Sequence, residues 1–194
     1  MDIIRLDRIA VLASVRLVDR AGPGDWGRPT PCDRWTLRAL VEHMGGQHLG
    51  FAAAARGEGD DAAAWEPRRA GDDPAAWYRA TARTVLDAFA RPEASHRRFT
   101  LPEISTEATF PAATAMGFHF LDYVVHSWDV AATLGLPLAL PDDVVEAALP
   151  IALRVPGGPA REGPDAAFRS ALPAAEGGPL ARVLAALGRS PDWR

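Results

Sequence analysis

Apolar residues recur at helical spacing in four long stretches of this chain, and the polar residues that interrupt them carry its chemistry. Residues 3–20 place Leu6, Ile9, Ala13 and Leu17 on one face with arginines and aspartates between them, which predicts an amphipathic first helix ended by Gly22-Pro23-Gly24. A polar loop through Trp26, Pro29 and Pro31 leads to Thr36, placed to cap a second helix through Leu37, Leu40, Val41 and His43 to about Ala55. Residues 57–71 are rich in Gly, Asp and Arg and read as loop. Asp73 and Pro74 then supply a cap and a first turn for a third helix to about Ala90. The segment 92–110 has few helical signals and holds a short extended piece at Arg98-Phe99-Thr100-Leu101-Pro102. A fourth helix is predicted from Pro111 to Leu134, closed by Gly135 as a left-handed cap, and a fifth from Asp142 to about Val155. Beyond a Pro/Gly-rich tail from Pro156 to Gly178 comes a short apolar helix, Leu180 to Leu187. The expected fold is all-α: a four-helix bundle with crossover loops over residues 1–140, and a helical and irregular extension over 141–194 packed on it.

The fourth predicted helix is largely apolar, yet His119, Asp122, His126 and Asp129 fall within about 80° of one another at about 100° per residue. Asp122 and His126 are four apart, so a carboxylate and an imidazole project from one face a turn apart, a spacing at which they can share one ion. His43, in Leu40-Val41-Glu42-His43-Met44-Gly45-Gly46, would supply a third ligand from the second helix. The plainer reading is a charge-assisted Asp122/His126 pair and a hydrogen-bonded core histidine. Three such groups in apolar surroundings, where an unpaired polar group costs about 1–3 kcal/mol, favour a shared partner. A divalent metal site at His43, Asp122 and His126 is therefore expected. Gly45 and Gly46 each cost up to about 1 kcal/mol relative to alanine inside a helix, so a close helix contact or an open pocket beside His43 is expected there.

Composition narrows the chemistry. At 194 residues the chain suits one domain with a full core. All 21 basic residues are arginine, which excludes a Schiff-base lysine and a P-loop. Net charge is −4, and the arginines are scattered rather than clustered, so nucleic acid is not an expected partner. Charges break the N-terminal apolar residues and no run approaches a membrane span, so no membrane association and a cytoplasmic location are expected. The lone cysteine, Cys32, excludes an internal disulfide and an all-cysteine metal site, and in Thr30-Pro31-Cys32 it reads as a small residue packed under a turn rather than a nucleophile.

Two longer motifs resemble a known family. Thr30-Pro31-Cys32-x-x-Trp35-Thr36-Leu37-Arg38-x-Leu40-Val41-x-His43-Met44 and Asp122-Tyr123-Val124-Val125-His126-Ser127-Trp128-Asp129-Val130-Ala131 resemble the DinB/YfiT-like metalloprotein superfamily, in its actinobacterial branch related to mycothiol-dependent maleylpyruvate isomerase. The closing Leu187-Gly188-Arg189-Ser190-Pro191-Asp192-Trp193 is similar to the C-terminal signature of an actinobacterial metal-binding subgroup. The resemblance spans nearly the whole chain. It implies a DinB-like four-helix bundle whose core binds a divalent ion, zinc before nickel or iron, through residues that fall on His43, Asp122 and His126. The isomerase has glutamate where this chain has Asp122, and it continues into a separate α/β domain where about 50 mostly irregular residues follow the fourth helix here.

Two imidazoles and a carboxylate leave a divalent ion with an open position and a net positive charge, the pattern of a catalytic site. Such an ion deprotonates a thiol outright. The resemblance supplies that thiol as mycothiol, and the expected function is a metal- and low-molecular-weight-thiol-dependent transferase or isomerase acting on a small electrophile. Asp129 or His119 is expected to hold a ligand imidazole in the right tautomer. The alternatives are a water-activating hydrolase, disfavoured because Glu42 points about 100° away from the His43 face, and a non-catalytic metal or small-molecule binding protein. Arg97-Arg98, Trp35 and Trp128 are further candidates for holding a polar cofactor, against a plain reading as solvated arginines and core tryptophans. A homodimer is compatible with the sequence.

Overall fold

Three of the four long helices begin where the sequence offers their backbone a side-chain partner. In the computed structural model, which describes residues 2–32, 35–163, 166–173 and 177–193 without the Ala160 side chain, helix α1 spans Ile3–Val18 and starts under Asp2, whose carboxylate accepts from the Arg5 N–H at 3.1 Å. Helix α2, Leu37–Arg56, starts under Thr36, whose hydroxyl accepts from Ala39 N–H, and α3, Pro74–Phe89, starts under Asp73, which accepts from Ala76 N–H at 2.9 Å. Helix α4, Ala112–Leu134, ends at Gly135 with φ +67°, and α2 ends likewise at Gly57 with φ +89°. Helices α5, Asp142–Ala152, and α6, Pro179–Ala186, follow. The first helix stops at Asp19, ahead of the Gly22-Pro23-Gly24 expected to end it, because Asp19 and Arg20 already close its last turn.

Four helices make the bundle: α1 packs mainly along α4, and α2 along α3. The expected extended piece pairs back on itself as a hairpin of β1, Arg98–Thr100, and β2, Thr109–Pro111, with Phe99 opposite Phe110. The main core joins Leu6, Val11, Leu40, Met44, Phe120 and Val124 with Val144 and Ala148 of α5 and Val183, Leu184 and Leu187 at α6. A second cluster of Phe51, Phe89, Phe99, Leu101 and Met116 seats the hairpin on the ends of α2 and α3. The hairpin's connection, residues 101–108, is thereby held against the bundle. No described helix is long and apolar enough to cross a membrane. Parts of the Pro/Gly-rich tail, residues 164–165 and 174–176, lie outside the described residues.

Gly45 of α2 packs directly against Trp77 of α3. A Cβ on it would sit 2.2 Å from the Trp77 ring, whereas one on Gly46 would meet nothing within 4 Å. Close helix contact accounts for the first glycine, and open space adjoins the second.

Candidate metal centre

Helices α2 and α4 are tied together at the level of the site, because the buried Tyr123 hydroxyl donates to the Met44 carbonyl. That bond sets His43, one residue before Met44, beside Asp122, one residue before Tyr123. The ligand atoms of His43, Asp122 and His126 all lie within 4.8 Å of one another, and His126 Nε2 is 3.4 Å from Asp122 Oδ1. Two donors on one tetrahedral ion at about 2.0–2.1 Å are separated by about 3.3 Å, so Asp122 and His126 already stand at the spacing a divalent ion needs, with His43 within 4.8 Å of both. The His43 and His126 rings are 5.5 Å apart and nearly perpendicular, and Trp35 covers His43 at 4.4 Å. The Asp122 side chain is 26% exposed and opens the centre to solvent on one side.

Burial fixes the protonation of His43. It pushes the imidazole pKa down to about 4, helped by the nearby His126 and opposed by Asp122, so the ring is neutral and its lone pair is free to bind. His126 is also buried, but Asp122 and then Asp129 outweigh that burial and raise its pKa well above the ordinary value. An ion there competes with a proton.

The other face of His126 is held by a buried network. Asp129 Oδ2 accepts from Nδ1 at 2.8 Å, which directs Nε2 toward Asp122, so of the two residues expected to orient a ring it is Asp129 that holds His126. Asp129 in turn accepts from Arg189 Nε at 3.1 Å and from the Cys32 thiol at 3.1 Å, and Arg189 Nη2 also reaches Cys32 Sγ at 3.0 Å. Burial raises the Asp129 pKa, but His126 and Arg189 outweigh it and leave the carboxylate below its usual range. Cys32 thus does more than pack under its turn. It is a member of this network, and its Sγ, His126 and Asp129 form a second cluster of metal-binding type. Burial pushes the Cys32 thiol up, so it is a poor nucleophile as it stands. Arg189 was not foreseeable from spacing, since 157 residues separate it from Cys32.

Other candidates lie elsewhere. His119 shares the polar stripe on a helical wheel but sits about 10 Å along the axis from His126, where its Nδ1 meets Asp7 of α1 at 2.6 Å. It therefore holds no ligand tautomer. Glu42 accepts from Arg38, Arg69 and the Ala70 N–H, tying the 57–73 loop to α2. Arg97 lies over Gly57, and Arg98 donates to Thr109 of the hairpin, so neither reaches the centre. Trp128 lines, with Leu136, Leu180 and Trp193, a separate open cavity of about 700 Å³. A carboxylate that the spacing did not single out is tied to α2: Gln47, one turn beyond His43, donates to Glu103 of the hairpin connection at 2.6 Å. Partial burial and then the Asp122 charge push the Glu103 carboxyl up.

Two imidazoles, His43 half-buried and His126 buried, and a carboxylate converge from two helices of the bundle, a donor set of the kind found in bundle metal sites. The chain belongs to the mycothiol maleylpyruvate isomerase N-terminal domain family, whose model matches residues 8–131. That span includes Cys32, His43, Asp122, His126 and Asp129 and ends before α5 and Arg189. An uncharacterized protein of Mycobacterium tuberculosis strain H37Rv, and another of strain CDC 1551, are each 32% identical to the chain over 184 residues, 93% of this chain and 91% of theirs. Among solved structures, the mycothiol-dependent maleylpyruvate isomerase shares the fold with a TM-score of 0.66 at 14% identity, over 99% of this chain and 90% of that one. A mutant of that isomerase gives 0.69 over the same shares.

Proposed function

We propose that the chain is a metal- and mycothiol-dependent isomerase or transferase that acts on a small electrophile, with His43, Asp122 and His126 as the ligands of a divalent ion, zinc before nickel or iron. The observation that carries this reading is the convergence of those three donors beside a solvent-facing opening. Membership of a family named for a mycothiol-dependent isomerase supports the choice of thiol. An ion held there would act as a Lewis acid and keep an incoming sulfur as thiolate near neutral pH.

The chain's own groups do the rest. His43 stays neutral through burial and presents a lone pair. Asp129 holds the Nδ1 proton of His126, and Trp35 shields the His43 ring from water. Cys32 faces Nδ1 of His126, the side away from Asp122, and is committed to Asp129 and Arg189, so the nucleophilic thiol comes from outside the chain. A water-activating reading has one observation in its favour, a second carboxylate, Glu103, held by Gln47 one turn along α2 from His43.

The test is cobalt substitution. Added mycothiol should produce a sulfur-to-cobalt charge-transfer band in the wild type and none in His126→Ala. An unchanged spectrum with turnover of an ester or amide would transfer the assignment to a hydrolase.

A further inference from the structure

A second cluster of ligand-type side chains lies at another level of the bundle and takes no part in the centre described above. His48 comes from α2, His119 from α4 and Asp7 from α1, each at most 1% exposed. Asp7 Oδ1 accepts from His119 Nδ1 at 2.6 Å, which leaves Asp7 Oδ2 and His119 Nε2 without a hydrogen-bond partner. Neither ring nitrogen of His48 has one. Among the described residues, these four atoms are all the buried side-chain nitrogens and oxygens left unpartnered. Each is costly to leave unmet, so four in one cluster point to a shared guest.

The arrangement repeats the first centre: an imidazole from α2, an imidazole from α4 and an aspartate. The ring centres of His48 and His119 are 5.5 Å apart, the same separation as His43 and His126. The bond from Nδ1 to Asp7 leaves a lone pair on Nε2 of His119, and an outer carboxylate of this kind is the usual companion of a ligating histidine. His48 can present either nitrogen, since turning its ring breaks no hydrogen bond. Burial, and then His119, keep that ring neutral by pushing its pKa well below the ordinary value. Tyr78 and Tyr123 flank His48 at 5.2 and 4.3 Å, and Phe51 and Phe89 flank His119 at 4.8 and 5.2 Å, aromatic surroundings compatible with a cation. The two tyrosine hydroxyls are committed to Ser14 and to the Met44 carbonyl. Two nitrogen donors therefore remain, fewer than the four ligands of a structural zinc site. The single carboxylate offsets one positive charge, and a second charge buried without a partner is strongly disfavoured.

We propose that His48 and His119 form a second, internal metal site for a monovalent closed-shell ion, cuprous copper, with Asp7 as its charge partner. Imidazole suits copper, and the charge of this ion matches that of Asp7. The inference stands apart from the reading of the His43 centre.

The test is an anaerobic titration of zinc-loaded protein with cuprous ion in competition with bicinchoninate, equilibrated overnight because a site this buried admits an ion only through local opening. The wild type should take one more equivalent from the chelator than His48→Phe, which keeps the bulk and the stack on Tyr123. Copper-edge X-ray absorption of that equivalent should show nitrogen ligands and no sulfur. His48→Met places a thioether, a ligand that selects cuprous copper, at the same position and should bring one sulfur into the shell. Asp7→Asn still accepts from His119 but carries no charge, and it should weaken the Kd by about 10–100-fold. Equal uptake by wild type and His48→Phe overturns the inference, as does zinc released while copper enters. A sulfur signal in the wild type would place the ion on Cys32 and overturn it too. His48→Met without a sulfur signal, or Asp7→Asn with an unchanged Kd, has the same consequence.

Discussion

Replacing Arg189 by methionine removes a guanidinium from the buried charge network behind His126 while keeping an apolar stem of similar length. In the wild type, Arg189 gives Asp129 two charge-assisted bonds, Nε to Oδ1 at 3.1 Å and Nη2 to Oδ2 at 3.3 Å, and the Asp129 side chain is fully buried. Removing one member of a buried pair costs about 3–5 kcal/mol when the other is left alone. Asp129 is not left alone, because His126 and the Cys32 thiol still donate to it, so the lower end applies, about 3 kcal/mol. For a chain of this size that lowers Tm by about 6–12 °C. Urea unfolding followed by far-UV circular dichroism should show a reduced midpoint at unchanged slope. In a double-mutant cycle with Asp129→Asn the effect of Arg189→Met should fall sharply, because the charge it compensates is gone. A loss under about 1 kcal/mol, or full additivity in the cycle, would refute the view that Arg189 locks the C-terminal segment onto the centre.

Three further outcomes are expected. Gly45→Ala, whose Cβ runs into the Trp77 ring, should cost about 1–3 kcal/mol, whereas Gly46→Ala, with nothing in its way, should gain up to about 1 kcal/mol; equal effects would contradict the packing of α2 on α3. Cys32→Ser should retain metal binding and any thiol-dependent activity, and loss of activity with metal and fold preserved would make Cys32 a nucleophile. His48 is fully buried with neither ring nitrogen hydrogen-bonded, and burial, then His119, depresses its pKa well below the ordinary value. A depressed histidine contributes stability that is complete above the unfolded pKa near 6.5 and is lost as pH falls, because the unfolded chain takes up the proton first. Metal-free His48→Phe should therefore gain on the wild type by up to about 2 kcal/mol between pH 7.5 and pH 5, and a pH-independent difference would show that His48 charges in place.

The helices were legible because their signals are local: Asp2, Thr36 and Asp73 cap their own first turns, and Gly135 its own last. The i, i+4 pair Asp122/His126 was legible for the same reason, since helix geometry alone sets its spacing. A helical wheel shows angle but not height, which is why His119 read with the site although it pairs with Asp7 at another level of the bundle. The contacts that complete the centre join residues distant in sequence. Arg189 reaches Asp129 from the C-terminal segment, and Glu103 reaches Gln47 across a hairpin whose existence was readable only as a short extended piece. Cys32 looked like filler because its partners could not be seen from its turn.

The central claim is that His43, Asp122 and His126, rather than Cys32, His126 and Asp129, hold the ion. X-ray absorption at the metal edge, on protein purified without added metal and kept free of small thiols, separates the two clusters by their donor atoms. The account predicts one ion per chain with only nitrogen and oxygen ligands at about 2.0–2.2 Å. A sulfur scatterer at about 2.3 Å in that sample would place the ion on Cys32 and contradict it.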